Sequence, residues 1–156
     1  MIRSTTRKYW WLVAALLTTA VCGCGGHDNG SAGPPAVTCV NMGSATYVGT
    51  EDVTTTSGSC PSYSNLSVTF TIVQAAGSCA FTLQSSRVPG TIFPGTVSGS
   101  NVSWTGSYPS ASGTVTINSV NASLSDDLTT LTGSFTWTYS GNTHCTGTTT
   151  FNVVKQ

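Results

Sequence analysis

Polar and apolar residues alternate through most of the chain beyond residue 40. In "LSVTFTIVQ", Leu66, Val68, Phe70 and Ile72 share one face, and Ser67, Thr69 and Thr71 share the other. "TLTGSFTWTY" repeats the pattern with Leu131, Phe135, Trp137 and Tyr139, and "NVSWTGSY" repeats it with Val102, Trp104 and Tyr108. A period of two describes antiparallel strands with one buried face. No stretch after Cys24 carries a helical stripe. Between turn signals the pattern predicts eight strands, at about 44–56, 65–75, 78–85, 91–98, 101–108, 112–124, 129–140 and 144–154. One strand changes phase: Val115 and Ile117 are odd, whereas Val120, Ala122 and Leu124 are even. A β-bulge near Asn118–Ser119 would return both sets to the core.

The connections are short, as in "AAGS" (75–78), "SGSN" (98–101) and "SGNT" (140–143), and the longest, "TSGSCPSYS" (56–64), is only moderate. Sequential antiparallel strands joined this way predict an all-β fold, an eight-stranded antiparallel up-and-down β-barrel that leaves no free sheet edge. A two-sheet β-sandwich is the alternative, although sandwiches use longer crossovers. Glycines at 95, 99, 106, 113, 133 and 147 punctuate the strands, as tightly coiled barrel strands require. The pattern resembles the small barrels of the lipocalin and avidin type. That resemblance is architectural and carries over no binding residues.

The beginning of the chain reads differently. Arg3, Arg7 and Lys8 precede the uncharged run "YWWLVAALLTTAV" (9–21), which is too short for a membrane span of about 20 residues. A basic start followed by a short apolar stretch and small residues describes an export signal. The sequel "VCGC" (Val21-Cys22-Gly23-Cys24) resembles the lipobox of bacterial lipoproteins. That resemblance implies a signal peptide over 1–23, cleavage after Gly23 and acylation of Cys24 as the new N-terminus. It further implies a membrane as partner, engaged through the acyl chains. Gly25, in place of Asp after the cysteine, implies sorting to the outer membrane. Reading Cys22, Cys24 and His27 as metal ligands would need a rigid scaffold, and glycine surrounds them. Residues 24–38, rich in Gly, Pro and Ser, form a flexible tether, and the barrel domain occupies 39–156.

Cys39, Cys60, Cys79 and Cys145 remain in the exported domain, and four cysteines allow three disulfide pairings. Up-and-down order separates them. Cys60 precedes the second strand and Cys145 begins the eighth, at one end of the barrel. Cys39 precedes the first strand and Cys79 begins the third, at the other end. Bridged Cα atoms lie only about 5–6 Å apart, so Cys39–Cys79 and Cys60–Cys145 are expected.

Charged residues are 6% of the chain, against about 25% in ordinary soluble domains. Beyond Cys24 the fixed cations are Arg87 and Lys155, which excludes a nucleic-acid partner. Catalytic groups are sparse. His144 and Cys145 are neighbours on a strand and face opposite ways, and a bridged Cys145 is no nucleophile. Glu51 and Asp52 likewise diverge, and Asp126 and Asp127 suit a hairpin turn. No catalysis, metal or cofactor is expected. Trp104, Tyr108, Trp137 and Tyr139 share the apolar phase, where they either fill the barrel or line a ligand cavity. No charge is placed on that face, so a ligand would be neutral and mainly apolar. The leading expectation is a structural or interaction lipoprotein of the envelope, with an envelope protein as partner. The alternative is a lipocalin-like carrier of such a ligand.

Overall fold

The computed structural model describes residues 38–110 and 112–156. They form nine strands and no helix: β1 (Ala45–Ser57), β2 (Tyr63–Gln74), β3 (Ala80–Ser85), β4 (Phe93–Ser98), β5 (Asn101–Trp104), β6 (Gly106–Ser110), β7 (Gly113–Leu124), β8 (Thr130–Ser140) and β9 (His144–Lys155). Every pairing is antiparallel. β1 lies between β2 and β9, and β5 and β6 both pair with β7, so the sheet closes on itself as an eight-stranded up-and-down barrel with one strand divided.

The division corrects one boundary. The segment expected at 101–108 breaks at Thr105, where the backbone N–H donates to the Pro94 carbonyl at 3.1 Å. Gly106 follows with φ +148°, and a Cβ at that position would press against the Phe93 ring. Glycine permits both the conformation and the close approach. The bulge in β7 lies at its expected place: the register against β8 shifts between Ile117 and Ser119.

The two ends of the barrel differ. At one end, Met42, Ala45, Tyr47, Ile72, Val97, Leu124, Leu131 and Val153 are buried. Buried Gln74 ties the incoming chain down there. Its Oε1 accepts from the Met42 N–H at 2.6 Å, and its Nε2 donates to the Val40 carbonyl at 2.9 Å. Buried polar groups remain stable only when paired in this way. Tyr47 donates its hydroxyl to the Leu128 carbonyl at 3.1 Å, joining β1 to the β7–β8 turn. In that turn the Ser125 and Thr129 hydroxyls and the Thr129 N–H all donate to Asp127 Oδ1 and hold its exposed carboxyl below the usual range. This end is sealed.

Above it, Phe70, Trp104, Phe135 and Phe151 pack at centroid separations of 5.3–6.4 Å and form a floor across the barrel. Edge-to-face and tilted arrangements of this kind add to plain area burial. The opposite end is not filled.

Candidate functional site

The open end follows from unequal strand lengths. β3 and β4 have six residues each, against 12 in β2 and in β7. At about 3.3 Å per residue, that side of the wall rises only half as far. Above Ser85 and Phe93 no strand among the described residues separates β2 from β6, and the 86–92 connection lies in this region. Ser86 anchors its start, with its N–H donating to the Thr69 carbonyl at 2.9 Å and its Oγ accepting from the Thr69 N–H at 2.9 Å.

Above the aromatic floor lies a cup of about 740 Å³. Phe70, Trp104 and Phe135 line its base, Val53, Leu66, Val115 and Trp137 its walls, and Pro61, Pro89, Pro109 and Asn142 its rim. Ligand pockets of roughly 300–1,000 Å³ with mostly apolar walls and a few placed polar groups are typical for small molecules. An eight-stranded barrel is just wide enough to hold one.

All four aromatics expected on the inner face line this cup. Trp104 is 3% exposed and belongs to the floor. Tyr108 meets Phe93 edge-on at 6.2 Å. Burial raises the pKa of the Tyr108 phenol, Glu51 raises it further, and Arg87 opposes both. Trp137 is buried and lies across Gly147 of β9, where any Cβ would overlap the indole ring. Its Nε1 has no hydrogen-bond partner among the described residues. Tyr139 stands at the rim, its hydroxyl within 3.2 Å of Ser112 Oγ and donating to Asn142 Oδ1 at 3.4 Å.

The expectation of an uncharged inner face requires correction. Glu51 is 8% exposed and lines the cup beside buried Thr149. It follows Ala45, Tyr47 and Gly49 in the odd, inward phase of β1, and that phase was the available signal. Arg87, from the 86–92 connection, places its Nε 3.4 Å from Glu51 Oε1. Burial pushes the Glu51 carboxyl above its ordinary value, and the Arg87 charge only partly offsets this. Asp52, pointing outward, accepts from the Asn65 N–H at 2.7 Å, so the two acids do diverge.

The barrel contains two disulfides. Cys39–Cys79 stands at the sealed end with Cα atoms 4.8 Å apart, and Cys60–Cys145 stands at the cup's rim with Cα atoms 6.1 Å apart. This is the pairing that strand direction requires. His144 is exposed beside the second bridge, with Nδ1 3.5 Å from Ser140 Oγ. Among the described residues no three His, Cys, Asp or Glu side chains gather as a metal site. Cys22, Cys24, His27 and the tether through Val37 lie outside the described residues. Comparison with known proteins finds no matching family model, no similar curated protein and no similar solved structure.

Proposed function

We propose that this chain is an exported lipoprotein, anchored to the bacterial outer membrane through acylated Cys24, whose barrel carries a small molecule. One observation carries the binding part of this reading: the upper half of the barrel is an open cup of about 740 Å³ over a closed aromatic floor. A barrel serving only as scaffold needs no such space, and an unfilled interior forgoes packing contacts that a filled one would make. The "VCGC" sequence supports the anchor, and the two disulfides suit an oxidising compartment outside the cytosol. The reading assigns binding rather than catalysis. The alternative, a structural or interaction module, is supported by the packed lower half and leaves the cup without a role.

Uptake of 2-methylnaphthalene, followed by equilibrium dialysis, tests the carrier. The full chain should bind it, and Val53→Trp, which places an indole in the cup, should remove that binding. Equal measurable uptake by the two proteins, or no uptake by either of this compound and its hydroxymethyl, carboxylate and aminomethyl analogues, returns the chain to the interaction reading.

A further inference from the structure

Glu51 is out of place in a wall that is otherwise apolar or hydroxylic. Its carboxylate is largely removed from water, yet among the described residues the one charged group paired with it is Arg87, whose Nε stands 3.4 Å away, beyond good hydrogen-bond length. Arg87 is itself 45% exposed at the cup's edge. Removing a carboxylate from water is costly unless hydrogen bonds replace the lost hydration. The long contact from Arg87 replaces that hydration only in part, and burial still outweighs it. Tyr108 lines the same space, and its phenol feels both charges.

Glu51 and Arg87 are the only acid and the only base among the lining residues, so the lining is neutral in sum. A ligand with net charge would leave that charge unbalanced on an apolar floor. A neutral ligand can instead place one group against the pair. That group must donate a hydrogen to the Glu51 carboxylate and accept one from the Arg87 guanidinium. A hydroxyl or a primary amide does both through a single site, whereas an ether, a ketone or a hydrocarbon cannot.

We infer that the cup selects a neutral molecule with an aromatic or alicyclic body and one hydroxyl or amide group, read by the Glu51–Arg87 pair above the Phe70–Trp104–Phe135 floor. This rests on the carrier reading and goes beyond it by naming what distinguishes one apolar ligand from another. Hydrogen bonds to charged groups supply the discrimination, because an analogue without the hydroxyl leaves the largely buried carboxylate with only its long contact to Arg87.

Four matched compounds test this by equilibrium dialysis against the full chain, with Val53→Trp defining background uptake. They are 2-naphthalenemethanol, 2-methylnaphthalene, 2-naphthoate and 2-naphthylmethylammonium. The alcohol should bind about tenfold more tightly than the hydrocarbon, a ratio worth roughly 1.4 kcal/mol, and both ions should bind more weakly than the alcohol. In Glu51→Leu the alcohol should lose its advantage while the hydrocarbon binds as well as before or better. Arg87→Met, altered at a half-exposed loop residue, should reduce the advantage without disturbing the fold. If the hydrocarbon and alcohol bind equally, or if either ion binds best, the inference is overturned and the carrier stands. If none of the four binds above background, both fail.

Discussion

Glu51 shows how one residue can oppose the stability of the fold that holds it. Its carboxyl is raised from an ordinary value of 4.5 by burial, with the Arg87 charge pulling the other way. A carboxyl whose folded pKa is raised favours folding while protonated. That contribution is fully present below the unfolded value and is lost as pH rises through the folded value. Glu51→Gln removes the titration and keeps the shape. The melting temperature of the variant should therefore gain on that of the parent as pH rises from about 4 toward neutrality, with the variant at least as stable at pH 7. Parallel curves across that window would show that the carboxyl carries no folding cost. Asp127 contributes with the opposite sign in both proteins, being held low by Ser125 and Thr129, and cancels in the difference.

Trp137 and Thr138 form a second comparison, between opposite faces of β8. Trp137 is buried, but the cup leaves part of its ring without packing partners. Trp137→Ala should therefore cost about 3 kcal/mol, at the lower end for a buried tryptophan. Thr138 points outward and accepts from Asn118 Nδ2 at 2.8 Å. Thr138→Ala should cost about 1 kcal/mol or less. Equal losses in chemical denaturation would contradict the register of β8.

Most of the elements were legible because their information is local. Alternation placed the strands, and the change of phase after Ile117 located the bulge, since a period of two has no other way to keep both sets inward. The break at Thr105 was illegible because Val102, Trp104, Gly106 and Tyr108 keep unbroken phase across it. Only the meeting of Gly106 with Phe93, a contact between separate strands, shows that the strand must turn. Glu51 was legible in principle. A single acid after Ala45, Tyr47 and Gly49 reads as an exception to the inner face, and its partner comes from a loop with no periodicity. The cup was hidden for another reason, because it depends on comparing the heights of strands that are remote in sequence. Gly106→Ala tests the break. An added methyl would both strain the backbone and strike the Phe93 ring, so a loss of roughly 1–3 kcal/mol is expected. A neutral result would mean that Phe93 moves aside freely.

At the scale of the molecule, disulfides and topology act together. Arg87 lies in the connection between β3 and β4, inside the chain segment closed by Cys60–Cys145 and outside that closed by Cys39–Cys79. Tryptic cleavage there should yield two fragments that stay joined on a denaturing gel until reductant is added. Separation without reductant would place the bridges elsewhere. The anchor is tested independently: Cys24→Ser should release the chain from membranes into the soluble fraction, and retention would exclude that acylation site.

The chain enters the barrel at Thr38, whose carbonyl accepts from the Gly99 N–H at 2.9 Å, and leaves it at Gln156, whose N–H donates to the Thr46 carbonyl at 2.9 Å. Both bonds stand at the sealed pole, so the barrel has a handle and a mouth at opposite poles. A sensor surface coupled through a C-terminal tag would present every copy with its opening toward solution. Enlarging the loops at 58–62, 86–92 and 141–143 would reshape what the mouth admits without touching either chain end. The same polarity keeps the two ends of the described chain away from the opening of the cup.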